Sequence, residues 1–266
     1  MLKQRILTAL ILIPLLLVLV LWVPPVVGLT FFAALILLGA WEWSAFLHTS
    51  RPGRWTYVAV VAALMAVAWY STASYAGLQL WLMAACAWWL VAFLWILWCP
   101  TRVSGVTATA AGLLVLVPAW VAVARLHTAH DAGPKLTLFL LLLVWAADVG
   151  AYFTGRRLGR VKLAPRVSPG KTWEGVCGGF LASAGVALAG VELFELPPLP
   201  FAMLCLAVSL VSIVGDLTES LFKRYAGLKD SGAVFPGHGG VLDRIDSVTA
   251  AAPFFVLGLG WLGLMR

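Results

Sequence analysis

Long apolar runs alternate with short polar breaks along almost the whole chain. The runs cover roughly 6–23, 26–46, 56–72, 78–98, 106–124, 136–154, 175–193, 200–220 and 247–264. Each approaches the ~20 apolar residues that a helix needs to cross a hydrocarbon core. The pattern predicts an all-α, polytopic integral membrane protein of about nine transmembrane helices. Polar residues intrude at the ends of the last three runs, so those boundaries are soft. No polar stretch exceeds about 30 residues, which leaves no room for a separate soluble domain. Residues 1–266 therefore read as a single membrane domain.

Composition supports the pattern. The chain is 62% hydrophobic and 11% charged, with a mean hydropathy of +0.99, values typical of membrane proteins. Lys3 and Arg5 ahead of the first run resemble the start of a signal peptide. That run is too long for a signal h-region, and no small-x-small cleavage site follows it. It is read as a retained anchor, and Val23-Pro24-Pro25 turns the chain into the second run.

Basic residues set the orientation, because they favour cytoplasmic loops. With Lys3 and Arg5 inside, loops 47–55, 99–105, 155–174 and 221–246 share the cytoplasmic side. Of the 18 Lys and Arg, 15 then lie inside, and only Arg125, Lys135 and Arg266 lie outside. The expected topology is a cytoplasmic N-terminus and an external C-terminus. The net charge of +7 then sits at headgroup depth. That points to anionic lipids and nucleotide phosphates rather than to nucleic acid.

Other residue types change the picture little. Cys86, Cys99, Cys177 and Cys205 are scattered without metal or redox spacing and read as small buried hydrophobes. Trp22, Trp55, Trp98 and Trp261 sit near span ends, as in an aromatic belt. Pro118 is expected to kink the fifth span. Gly175, Gly179 and Ser183, spaced by four, form a face for close helix packing, within one protomer or across a dimer.

Residues 1–135 are mainly structural spans, and 136–266 carry the chemistry. Eight of eleven carboxylates fall near the cytoplasmic face: Glu42, Asp148, Glu174, Asp216, Glu219, Asp230, Asp243 and Asp246. Glu42 alone lies in the first half. It reads as an interfacial acid between Trp41 and Trp43, or as a partner for a basic residue of the site.

Charged groups at membrane depth are costly and mark function by default. Asp148 and Tyr152 are four apart and share a helix face. Arg156, Arg157, Arg160 and Lys162 form a basic loop suited to headgroups. Ser168-Pro169-Gly170-Lys171-Thr172 leads into the seventh span, with Glu174 in its first turn. Backbone N–H groups, hydroxyls and one ammonium there suit a phosphate. The likeness to a P-loop is superficial, since GxxxxGK[ST] is unmet and no strand is expected before it.

Asp216, Glu219 and Lys223 fall at i, i+3 and i+7 on one helix face. Asp243 and Asp246, three apart, open the last span. Carboxylates on two helix ends at a membrane surface make a hard-cation site suited to Mg²⁺. Between them, Phe235-Pro236-Gly237-His238-Gly239-Gly240 allows tight turns and close backbone approach to a ligand. His238 reads as a phosphate or base contact.

These residues carry a resemblance. Ser220, Lys223, Arg224, Lys229, Asp230, Gly232, Pro236, His238, Gly239, Gly240, Asp243, Arg244 and Asp246 match the signature of the phosphatidate cytidylyltransferase (CDP-diacylglycerol synthase) family. Asp148, Ala151, Tyr152 and Gly155 also resemble that family, as do Ser168, Pro169, Lys171, Thr172, Glu174 and Gly175. The likeness is specific over about 140–250. One departure is Gly170, where many members carry a second lysine.

The resemblance implies transfer of a cytidylyl group from CTP to phosphatidate, with Mg²⁺, giving CDP-diacylglycerol and pyrophosphate. Asp216, Asp243 and Asp246 are expected to hold metal, with Asp148 near it. Lys171, Lys223, Arg224, Lys229 and Arg244 would neutralise phosphates. Ser168, Thr172, Ser220, Tyr152, His238, Gly239 and Gly240 would line the substrates. Whether a monovalent cation joins Mg²⁺ stays open. A homodimer in a bacterial cytoplasmic membrane is expected. Rivals are a CDP-alcohol phosphotransferase, a lipid-alcohol kinase, which is the nearer of the two, and a transporter. The DGxxAR motif of CDP-alcohol phosphotransferases is absent, and the charges gather at one face rather than at the midplane favoured by transporters.

Overall fold

A computed structural model describes residues 2–98, 103–234 and 239–265. The expectations for Cys99, Pro236 and His238 lie outside the described residues. Among the latter, nine long helices follow one another: α1 (Leu2–Leu21), α2 (Pro25–Trp43), α3 (Arg51–Ser71), α4 (Tyr75–Trp98), α5 (Gly105–Thr128), α6 (Gly133–Leu158), α7 (Trp173–Phe194), α8 (Pro198–Tyr225) and α9 (Leu242–Trp261). A 3₁₀ turn, Ser44–Leu47, extends α2. Six segments are long and apolar enough to cross a membrane: Pro25–Leu47, α4, α5, α6, α7 and α8. The chain is a multi-pass membrane protein of all-α class.

Each apolar run falls on one helix, but several helices outrun it. α3 begins at Arg51, α6 continues to Leu158, α8 reaches Tyr225 and α9 starts at Leu242. Hydropathy registers contact with lipid, whereas a helix ends where its backbone bonds find caps. Ser50 caps α3, Ser104 and Thr107 form a capping box on α5, and Thr172 caps α7. Arg156 and Arg157 close α6, and Lys223 and Arg224 close α8, where cations suit the helix dipole.

The stretch before α7 departs from expectation. Lys162–Ala164 (β1) pairs antiparallel with Ser168–Thr172 (β2), Lys162 opposite Thr172 and Ala164 opposite Ser168. The Ser168–Thr172 segment is thus a strand rather than a bare turn. Val167, at its turn, is buried with Ile96, Leu217 and Leu221. That contact fastens the hairpin to α8.

One apolar cluster runs from α2 to α9, and α5 and α9, the helices that contribute most to it, each bury fourteen residues. Pro118 is buried inside α5. Cys205 is buried and Cys86 half-buried, but Cys177 is exposed, which corrects its reading as a buried hydrophobe.

The small-residue face of α7 packs on α6 within the protomer. A Cβ on Gly175 would stand 2.9 Å from the Ala151 carbonyl oxygen, and one on Gly179 would stand 2.8 Å from that of Ala147. From the other side, a Cβ on Gly150 would lie 2.6 Å from the Gly178 carbonyl oxygen. Ser183 is fully buried in the same seam. Further along, the two helices border an apolar groove of about 460 Å³, lined by Leu142, Trp145, Val149, Val186 and Leu193 among others.

This seam yields a stability prediction. Gly179→Val should overpack it and cost about 1–3 kcal/mol, lowering Tm in detergent. Gly185→Ala, on the same helix with open space at its Cβ, should leave Tm unchanged or raise it slightly. Equal Tm values for the two variants would rule out a close seam at Gly179.

Candidate active site

Two helices supply the charged centre. On α8, Asp216, Glu219 and Lys223 share one face, as their spacing requires. On α9, Asp243 lies in the first turn and Asp246 one turn later. α8 and α9 pack together closely: a Cβ on Gly215 would stand 2.6 Å from the Asp246 carbonyl oxygen. A side chain there would separate the acidic faces.

Lys223 bridges the helices. Its Nζ donates to Asp243 Oδ1 at 2.7 Å and lies 3.1 Å from Glu219 Oε1. Side-chain exposure is 11% for Lys223, 3% for Glu219 and 7% for Asp243. The Glu219 contact is an ion pair without hydrogen-bond geometry, so both Glu219 oxygens are buried with no hydrogen-bond donor among the described residues. Unsatisfied buried acceptors are uncommon and call for an explanation.

Asp243 is saturated. Its Oδ2 accepts the Ser231 N–H at 3.0 Å, the Ser231 hydroxyl at 3.0 Å and the Gly240 N–H at 2.8 Å. It therefore holds both ends of the 231–240 loop. Gly239 adopts φ +84° in that loop, a left-handed conformation that favours glycine.

The hairpin brings the second wall. Lys171 Nζ lies 2.8 Å from Asp216 Oδ2, with side-chain exposures of 24% and 31%. Ser220 Oγ donates to Asp216 Oδ1 at 3.3 Å. Thr172 accepts the Gly175 N–H at 3.1 Å, opening α7. Glu174 accepts the Val161 N–H and ties the hairpin's base.

Asp148 arrives from α6. Ser247 Oγ donates to Asp148 Oδ1 at 3.5 Å, which sets Asp148 beside the second turn of α9. Asp246 lies within Coulombic reach of Glu219, Asp216 and Asp148. Asp148 in turn feels Asp216, Lys171 and Arg244. Asp148, Lys171, Asp216, Ser220, Lys223, Asp243 and Asp246 thus converge from four elements: α6, β2, α8 and α9.

Other expected residues stand apart. Tyr152 is exposed, and its hydroxyl accepts from Arg156 at 3.0 Å rather than facing Asp148. Arg224, Lys229 and Arg244 are exposed and make no ion pair among the described residues. Ser168 is half-buried on β2. Among the described residues, no group of three His, Cys, Asp or Glu side chains forms a ready metal cage.

Two acids gain importance in the structure. Glu219 carries a legible signal, its i,i+4 spacing to Lys223. Glu42 is buried and accepts from Ser231, Val241 and Leu242. Buried as it is, it is no belt acid, and among the described residues it forms no ion pair with a basic side chain.

Fold and site define a multi-pass, all-α membrane protein with a carboxylate–lysine centre built on two adjoining helices. The chain belongs to the cytidylyltransferase family, whose model matches residues 3–261. It is 47% identical over 272 residues to the phosphatidate cytidylyltransferase of Pseudomonas aeruginosa, covering 98% of this chain and 99% of the relative. It is 39% identical over 280 residues to that of Haemophilus influenzae, covering 96% and 97%. The enzyme of the same name from Bacillus subtilis is 42% identical over 135 residues, 48% of this chain and 49% of the relative.

The two lysines should separate in a stability measurement. Lys223→Met strands two buried carboxylates and should cost about 3–5 kcal/mol. Lys171→Met breaks a solvent-reached pair and should cost no more than ~1 kcal/mol. Thermal unfolding in detergent reads the difference. If Lys223→Met unfolds no more easily than Lys171→Met, the Lys223 bridge is not the buried tie described.

Proposed function

We propose that this chain transfers the cytidylyl group of CTP to phosphatidate, giving CDP-diacylglycerol and pyrophosphate. The observation that carries the reading is the convergence of Lys171, Asp216, Lys223, Asp243 and Asp246 in a chain of this family. A phosphate oxygen of phosphatidate attacks the α-phosphorus of CTP. The bond from that phosphorus to the β-bridging oxygen breaks, and pyrophosphate leaves. The attacking monoester is largely ionised at neutral pH, so no strong general base is needed. Positioning and neutralisation of charge must supply most of the acceleration.

The donor set fits Mg²⁺. Five carboxylates, Asp148, Asp216, Glu219, Asp243 and Asp246, face two paired lysines, Lys171 and Lys223. The surplus is negative and made of hard oxygen ligands. Mg²⁺ commonly takes one or two carboxylates and completes its shell with water and substrate phosphates, so three protein ligands are not required. Asp216 and Asp246, with Asp148 beside them, are the proposed ligands. Asp243 belongs to the same group, although its oxygens already accept four hydrogen bonds. When bound, the ion would neutralise the CTP phosphates and ease the departure of pyrophosphate.

Lys171 is the more exposed of the two lysines and is assigned to a substrate phosphate. Lys223 holds α8 and α9 in register. Arg224, Lys229 and Arg244, all exposed, are assigned to nucleotide phosphates in this reading. His238, Gly239, Gly240, Ser168 and Thr172 supply further contacts in this reading. The charge pattern supports nine spans, a cytoplasmic N-terminus and a site on the cytoplasmic face of a bacterial membrane. A homodimer remains part of the reading on family resemblance. The α7 small-residue face no longer argues for it, because α6 occupies that face.

Purified protein should move label from the α-phosphate of CTP into the chloroform phase when given phosphatidate and Mg²⁺. No transfer alongside a working control enzyme would sink the reading. Asp246→Asn should lower turnover by about 10²–10³-fold, the scale for loss of a preorganised electrostatic group, while insertion is unchanged. Near-native turnover would remove Asp246 from the metal assignment. Asp230→Cys should react with an impermeant thiol reagent only from the cytoplasmic side. Labelling from the outside would reverse the topology.

A further inference from the structure

Glu42 lies on α2, about two hundred positions from the loop it touches, and is only 4% exposed. Its Oε1 accepts the Val241 N–H at 3.0 Å. Its Oε2 accepts the Leu242 N–H at 2.8 Å and the Ser231 hydroxyl at 3.0 Å. The first N–H groups of a helix have no partner within it, and a negative group there is stabilised by the helix dipole. Glu42 therefore caps α9 from another helix. The 231–240 loop and the start of α9 both end on one carboxylate.

The fit is steric as well as electrostatic. A Cβ on Gly232 or Gly240 would collide with the Glu42 carboxylate. Leu242 packs against α2 one turn earlier, 3.1 Å from where a Gly39 Cβ would stand. Glu42 itself is held on both sides. Trp43 Nε1 donates to the Ala108 carbonyl at 2.9 Å, and Arg54 donates to the Trp41 carbonyl at 2.8 Å while lying 4.1 Å from the Trp41 ring centroid.

Ser231 links this platform to the reacting centre. Its hydroxyl lies 3.0 Å from both Glu42 Oε2 and Asp243 Oδ2. One hydroxyl hydrogen serves two carboxylates, so the position of either acid constrains the other. Asp243 in turn receives Lys223.

We infer that Glu42 is a positioning residue for the transfer reaction: through Ser231 and the α9 N-terminus it sets where Asp243 and Asp246 stand against Asp216 and Lys223. The inference rests on the assignment of those acids to the active site. Glu42 does not touch substrate in this account. It fixes the angle at which α9 presents its carboxylates.

The test compares Glu42→Gln, Ser231→Ala and the double variant, in purified full-length protein with CTP, phosphatidate and Mg²⁺. Glu42→Gln keeps the volume and one acceptor oxygen but turns an N–H₂ donor toward other donors. It should lower kcat by about 10–100-fold, the scale for residues that orient metal-bound ligands. The apparent constant for Mg²⁺ activation should rise, and KM for phosphatidate should stay within about twofold of wild type, a split that simple destabilisation would not produce. The double variant should be clearly less impaired than the product of the single effects, because both changes break one link.

A folded Glu42→Gln with wild-type kcat and Mg²⁺ dependence overturns the inference. So does multiplicative loss in the double variant. If Glu42→Gln does not fold, Ser231→Ala decides alone: a several-fold loss of kcat at unchanged phosphatidate KM supports the link, and wild-type kcat overturns it. Failure of the site assignment is separable. It shows as an active Asp246→Asn, whereas failure of this inference alone shows as an active Glu42→Gln beside an inactive Asp246→Asn.

Discussion

Charge carried to membrane depth has to be neutralised inside the protein, and Lys223 is where this chain meets that demand. Its ammonium stands between Glu219 and Asp243, three groups that are nearly sealed from solvent. Removing isolated charges of this size from water costs several kcal/mol per ion, and the cost is recovered only in close, well-bonded geometry. That requirement fixes how α8 meets α9, and the glycine at 215 permits the approach. Asp243 then passes the constraint to the 231–240 loop, and Asp216 passes it to Lys171 and the hairpin. Four pieces of chain are held by one network of alternating charge.

Glu219 shows the network to be incomplete on the protein's side. Its oxygens are buried beside an ammonium but accept no hydrogen bond among the described residues. A centre with surplus carboxylate and an unsatisfied acid is poorly balanced as an end state. It is well suited to taking up positive charge. That feature distinguishes it from a structural ion-pair cluster, in which acids and bases come closer to matching.

The apolar runs made the helices legible, because a membrane imposes one length and one secondary structure on any span. Their ends were less legible. Hydropathy stops at the headgroups, while α8 continues to Tyr225 and α9 begins at Leu242 to carry the site. The spacing of Asp216, Glu219 and Lys223 announced a shared face correctly, since it depends only on helix period. The hairpin left little trace. Pro169 and Gly170 are poor strand residues, and what pins the segment is Val167 burying itself against α4 and α8. Glu42 was misjudged for a related reason. Its partners are backbone amides far away in sequence, and a backbone amide has no residue type to read. Gly240 was expected to allow a tight turn, yet its small size, like that of Gly232, makes room for an acid from α2.

The reaction proposed for this centre joins two polyanions, so an acid-rich pocket looks ill chosen until its cations are counted. Carboxylates repel phosphates directly but attract them through any cation held between. Here the lysines play different parts. Lys223 is locked into the protein and cannot leave without stranding two buried acids. Lys171 is partly exposed and pairs with an acid that solvent also reaches, so a phosphate can compete for it at small cost. A site of this kind would stay electrostatically closed until a nucleotide brings its own metal. Under the proposed reaction, substrate charge would then complete the network that α8 and α9 leave unfinished. The surplus of acid would itself favour a metal-bearing nucleotide, since among the described residues no three His, Cys, Asp or Glu side chains form a metal cage.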